Sequence, residues 1–228
     1  MSKESKILIA VLIAIVGGMI GLFAIMNTGE STPTAVGDKT KVIRDNSHKI
    51  GSGPIEVVEF GDFQCPACAA AYPNVKQLLK DYDGKITFYF RNFPLNQIHR
   101  NANVSALAAE AAGDQGKFWE MYAKLYENQS AWSNQSNPND TFIEYAKAIN
   151  LDVDKFKDAL NSKEFQPLVD QDLADGEAVG VNSTPTFYFN GEKYTGRASY
   201  DELKAKIDSL LGASASTAPA EPTATPAS

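Results

Sequence analysis

Cysteine and histidine are scarce in this chain of 228 residues, with two of each. An exported domain that relied on a disulfide framework would usually carry several spaced cysteines. Cys65 and Cys68 lie three positions apart, so they form either a reactive pair or a small local clip. Basic charge is also in short supply: 21 Lys and Arg stand against 28 Asp and Glu, for a formal net charge of −7. Nucleic-acid affinity rests on clustered Lys and Arg, so this balance argues against nucleic acid as a partner. Internal repeats are absent as well.

One long stretch lacks charge altogether. Ile7 to Met26 is uncharged, and at about 1.5 Å per residue it is long enough to cross a hydrocarbon core of about 30 Å. A cleaved secretory signal is the competing reading, but its apolar region is usually only about 7 to 15 residues long, and no small-x-small cleavage site follows Met26. A buried soluble helix is disfavoured because the segment is apolar on every face. Lys3 and Lys6 precede it and Glu30 follows it, so the positive-inside tendency leaves the N-terminus in the cytoplasm and the rest of the chain exported. Residues 1–26 are therefore expected to be a membrane anchor, and 27–50 a spacer built on Thr28, Gly29, Ser31, Thr32, Pro33 and Gly37. Residues 213–228 contain only Ala, Ser, Thr, Pro and one Glu, too little apolar bulk to offset the entropy of ordering, and should be a disordered tail.

Between these ends, Ile55–Phe60 and Ile86–Phe90 are short β-rich runs. The residues separating them carry Tyr72, Val75, Leu79 and Tyr82 at helical spacing. Strand, helix and strand of these lengths predict a right-handed parallel βαβ unit over 51–98. Later, Thr186–Phe189 meets Asn190-Gly191, the strongest short hairpin signal, and Glu192–Thr195 returns antiparallel. Ser199 and Glu202 form a capping box for a last helix carrying Leu203, Ile207, Leu210 and Leu211, with Gly212 at its end. The intervening 99–180 is rich in Ala, Leu, Glu and Lys, with Phe118, Met121, Tyr122 and Leu125 at spacings of three and four and further helical stretches around 142–148, 153–160 and 168–179. The expected architecture is α/β: a thioredoxin-like fold whose halves, 51–98 and 181–212, flank a helical insertion over 99–180, preceded by one N-terminal transmembrane helix.

Cys65-Pro66-Ala67-Cys68 follows directly on the first strand. Proline suits the first turn of a helix, where its missing N–H has no intrahelical partner, so Cys65 falls at the helix N-terminus. Unpaired N–H groups and the helix dipole favour a thiolate there, and such cysteines can have pKa values of about 3.5 to 7.5. Cys68 lies one turn inward, close enough to close a disulfide. A zinc site would need two more ligands, and His48 and His99 have no paired spacing with each other or with the cysteines. A Cys65–His99 hydrolase leaves the second cysteine unexplained. An inert clip closes too short a loop to stabilise much. No metal or other cofactor is expected.

The stretch Val58–Cys68 resembles the active site of the DsbA-like thiol–disulfide oxidoreductases, Ser183-Thr184-Pro185-Thr186-Phe187 resembles their cis-proline loop, and Ala108–Ala112 with Gln115–Met121 resembles the first helices of their inserted domain. The resemblance runs from about Ile50 to Leu211. It implies that Pro185 is cis and sets the Thr184 backbone beside Cys65, ready to pair with an extended substrate by strand addition, with Pro66 and Ala67 on the same substrate-binding surface. It also implies that Glu59 is the family's buried acid, able to relay a proton for Cys68. Strand alternation puts Glu56 and Glu59 on opposite faces without saying which is buried. Ala67 departs from the histidine that strong oxidases of the family carry at this position. These features imply an extracytoplasmic oxidase that introduces disulfides into exported proteins with free cysteines and is reoxidised by a membrane redox partner. A reductase or isomerase using the same residues, and a non-catalytic chaperone or scaffold, are the alternatives.

Overall fold

The structure is a computed structural model that describes residues 38–216. A short helix α1 (Lys39–Val42) and a strand β1 (His48–Gly51) precede β2 (Ile55–Gly61), which α2 (Pro66–Asp81) connects to β3 (Ile86–Asn92). A run of helices follows: α3 (Ala102–Asp114), α4 (Phe118–Glu127), α5 (Gln129–Trp132), α6 (Asn139–Ala148), α7 (Val153–Ser162) and α8 (Gln166–Ala178). The chain then returns through β4 (Thr186–Phe189) and β5 (Glu192–Lys193) and ends in α9 (Tyr200–Ser216). The strands form one sheet in the order β1-β3-β2-β4-β5, with β2 parallel to β3 and the other neighbours antiparallel. This is a thioredoxin-like sheet with a helical insertion between its halves.

Alternation along the central strand divides the core. Val57 of β2 joins Phe88 and Phe90 of β3 and Phe187 and Phe189 of β4 in the larger cluster, which α2, α9 and the insertion cover with Tyr72, Val75, Leu203, Ile207, Met121 and Trp132. Val58 and Phe60 point the other way, into a smaller cluster with Val42, Phe93, Val181 and Tyr188. Both faces of β2 are covered, which is why the run Ile55–Phe60 lacks the polar alternation of a half-exposed strand. The hairpin turn has positive φ at Asn190 (50°) and Gly191 (86°), the backbone that a two-residue turn of this hand requires.

Several boundaries differ from those expected. The spacer does not reach Ile50, because α1 and β1 lie within it and β1 pairs with β3 from His48↔Phe90 to Gly51↔Thr87. β1 is an edge strand with mostly exposed residues, held by backbone pairing and by the Trp119 indole N–H donating to the Lys49 carbonyl at 3.0 Å. It therefore has no apolar pattern to read. β5 stops at Lys193 rather than Thr195, although the Tyr194 N–H still donates to the Phe187 carbonyl at 2.8 Å. Glu202 reaches past Ser199 and accepts from the Arg197 backbone N–H at 2.7 Å and from its Nε at 2.8 Å. α9 continues beyond Gly212 to Ser216, into alanine-rich sequence of high helix propensity. The expected anchor at residues 7–26 and most of the expected tail lie outside the described residues, and no helix among the described residues is long and apolar enough to cross a membrane.

Candidate active site

After Gly61 the backbone turns through Asp62, Phe63 and Gln64 to Cys65, which is the N-cap of α2 with an extended backbone (φ −68°, ψ 123°) and no side-chain cap. Pro66 opens the helix, so the sulfur of Cys65 meets N–H groups that no other side chain satisfies. Cys65 is 7% exposed and Cys68 0%, and the two are not bonded to each other. Pro66 and Ala67 are exposed beside them, so the dithiol is reached from that side.

The two sulfurs are electrostatically unlike. The Cys65 thiol is lowered to about 5, chiefly by the hydrogen bond from Cys68; burial opposes this, and Thr184 with the backbone N–H groups of Cys68 and Ala67 adds to it. Cys68 is pushed well above the ordinary thiol range, first by burial, then by the hydrogen bond to Cys65 and the charge of Glu59. At neutral pH this favours a thiolate at Cys65 and a protonated thiol at Cys68.

The Thr184–Pro185 bond is cis. The Thr184 carbonyl accepts the Cys65 thiol hydrogen across 3.4 Å, while the Thr184 hydroxyl is buried without a hydrogen-bond partner and is free to turn to the sulfur once that hydrogen leaves. Glu59 is buried on β2, whereas Glu56 is only half-buried. Burial pushes Glu59 up to about 8; the Tyr122 hydroxyl, donating across 3.5 Å, works against this, and the charge of Cys65 adds to it. β2 sits between β3 and β4 in register, so Phe90 and Phe187 flank Glu59 and leave it no other polar neighbour on those strands. Cys65, Cys68, Thr184, Pro185 and Glu59 thus converge on one end of the sheet.

A thioredoxin family model matches residues 44–209. Among curated proteins, the "Probable disulfide bond formation protein D" of Bacillus cereus is 34% identical over 166 residues, covering 69% of this chain and 74% of that protein. The chain belongs to the thioredoxin family, among its DsbA-like thiol–disulfide oxidoreductases. The structure of oxidised BdbD from Bacillus subtilis has a TM-score of 0.66 at 27% identity, over 73% of this chain and 93% of that one. Alpha-DsbA1 of Wolbachia pipientis shares the fold, with a TM-score of 0.68 at 21% identity over 77% and 96%. The "Na(+)/H(+) antiporter NhaA 1" of Salinispora arenicola is 37% identical over 168 residues, but these are 74% of this chain and only 25% of that protein. The chain thus spans a quarter of the length of that relative.

In this DsbA-like oxidoreductase the loop that carries Cys65 and Cys68 is held by residues that sequence patterns did not single out. Gln129 Nε2 on α5 donates to the Phe63 carbonyl at 2.7 Å and the Cys65 carbonyl at 3.0 Å. Gln64 accepts from the Asn101 N–H at 2.6 Å and donates to the Ser133 carbonyl at 2.7 Å. Tyr122 reads from sequence as one more apolar position of α4, and only the fold turns its hydroxyl to Glu59. Gln129 carried no signal, being one polar residue 64 positions from Cys65. His99, weighed above only as a hydrolase base or zinc ligand, bonds to Asp62 instead.

Proposed function

We propose that this chain is an extracytoplasmic oxidase that donates the Cys65–Cys68 disulfide to exported proteins with free cysteines. The observation that carries this reading is the asymmetry of the dithiol, with Cys65 lowered to about 5 and Cys68 raised. A thiolate stabilised only in the reduced form makes the reduced protein the favoured state, which gives the disulfide its oxidising power. A client thiolate attacks Cys65 Sγ, the Cys65–Cys68 bond breaks, and Cys68 leaves as a thiolate that takes up a proton. A second client thiolate then attacks the client sulfur of the mixed disulfide, forming the client disulfide and releasing Cys65 as a thiolate. Glu59, facing Cys68, supplies and recovers the proton; Pro185 and the Thr184 backbone, with Pro66 and Ala67, receive the client chain.

The name of the Bacillus cereus relative supports the oxidising direction. The uncharged segment 7–26, followed by a spacer, supports a tether that holds the domain outside the cytoplasm near a membrane partner able to reoxidise the pair. Ala67, in place of a cationic neighbour, supports a milder oxidant than a histidine-containing motif would give.

The test is the reduction potential of the pair, together with oxidation of a reduced client. An oxidase has a potential well above the about −270 mV of thioredoxin and oxidises the client stoichiometrically. A potential at or below that value, with insulin reduction, replaces this reading with a reductase. Activity that survives serine at both cysteines replaces it with a scaffold.

A further inference from the structure

Three positions before Cys65, the side chain of Asp62 is wholly buried. Its Oδ1 accepts the Gln64 N–H at 2.7 Å, and its Oδ2 accepts the Leu95 N–H at 3.0 Å and His99 Nδ1–H at 2.6 Å. The backbone of the same residue touches both cysteines: its carbonyl accepts the Cys65 N–H at 3.0 Å, and its N–H faces the Cys68 sulfur. Asp62 is therefore fastened by its side chain to the loop between β3 and α3 and holds the dithiol by its main chain. Two of its three side-chain donors are backbone groups present whatever the sequence. The third is His99, the shortest of the three contacts and the only side chain among them.

A buried carboxylate that loses a donor is left underpaired and moves toward water or another partner. Asp62 cannot move without dragging the N–H that faces Cys68 and the carbonyl that holds the Cys65 backbone. We propose that His99 is a positioning residue of the active site, which sets the ionisation of Cys65 by holding Asp62 in place. The proposal deepens the reading of Cys65 as the attacking sulfur and rests on it.

The experiment is a pH titration of the Cys65 thiolate by its ultraviolet absorbance in the full chain, alongside the reduction potential, for the natural protein, His99→Ala and His99→Asn. The asparagine amide nitrogen occupies nearly the place of Nδ1 and keeps a donor on Asp62. His99→Ala is expected to raise the Cys65 pKa by about one unit, equivalent to about 30 mV lower potential, and His99→Asn to restore most of it. An unshifted His99→Ala, or a His99→Asn as shifted as alanine, overturns the proposal. Should His99→Ala not fold, the natural protein suffices, because His48 and His99 are its two histidines. The ring-nitrogen shifts of His99 must step where Cys65 ionises, with His48, which lies against Glu110 and Phe118, as the internal reference; no step at His99 overturns the proposal. None of these readouts uses a client, so a shifted Cys65 without client oxidation would sink the oxidase reading and leave this one standing.

Discussion

Glu59 and Arg91 are both buried on neighbouring central strands, yet their surroundings differ in kind. Arg91, 0% exposed, donates from Nε to Asp172 at 2.7 Å, from Nη2 to Asp175 at 2.8 Å, and from Nη1 to the Lys41 and Val42 carbonyls at 2.9 and 3.0 Å. Arg44 shares Asp175 with it. Glu59, on the opposite face of the sheet, has one long hydrogen bond, from Tyr122. A buried charge surrounded by partners is fixed in one protonation state and holds structure together, joining α1 and α8 to the sheet. A buried acid with a single weak partner changes protonation easily, which suits it to proton transfer. Burial alone therefore does not set a charged side chain's role; the partners it finds there do.

The comparison can be broken at either site. The largest expected effect is at the dithiol: Cys65→Ser abolishes disulfide exchange and traps almost no client, whereas Cys68→Ser accumulates mixed disulfides, read on non-reducing gels. Equal trapping would dissolve the division of labour. At the structural pole, Arg91→Met leaves Asp172 and Asp175 without their shared cation, and denaturant unfolding should show a loss of about 3 kcal/mol or more, with the Cys65 titration unmoved. A lower Cys65 thiolate fraction in that variant would show that the two faces are coupled.

Glu59→Gln tests the other pole, and formation of the mixed disulfide, in which Cys68 leaves and takes up a proton, should slow about 100-fold. Its effect on stability has the opposite sign from that of Arg91→Met. The folded protein holds Glu59 at about 8 against an ordinary 4.5, so it binds this proton more tightly than the unfolded chain. That contribution is complete below about 4.5 and is lost as pH rises through about 8. Unfolding midpoints of the natural protein should therefore fall relative to Glu59→Gln across that interval; parallel curves would mean that Glu59 is not held protonated. The smallest effect expected is from Tyr122→Phe, which removes the one hydroxyl that favours the Glu59 carboxylate. It should move the upper limb of the pH–rate profile upward by a few tenths of a unit, whereas Tyr126→Phe, removing a hydroxyl without a partner, should leave that limb in place.

Much of the fold was legible because it depends on local pattern. The β-branched and aromatic content of Ile55–Phe60, the Asn190-Gly191 turn and the helical spacing of Phe118, Met121, Tyr122 and Leu125 each specify an element from neighbours in the chain. β1 was not legible, since an exposed edge strand is held by hydrogen bonds to β3 that any side chains allow. The extent of α9 was misjudged at Gly212, because a glycine ends a helix only where the chain turns left-handed, and here it does not.

The same division holds in the site. Two cysteines three apart after a strand, with proline between them, were enough by themselves to place both sulfurs at a helix N-terminus, because helix geometry positions them from the spacing alone. Which face of β2 carries the dithiol, and hence that Glu59 rather than Glu56 lies beside Cys68, was decided only when α2, α9 and the insertion closed over the face that bears Glu59. The holds on the catalytic loop by Gln129 and His99, 64 and 34 positions beyond Cys65 by their numbers, belong wholly to tertiary structure: a single hydrogen bond between distant residues leaves no periodicity in either segment, so only the folded chain brings the partners together.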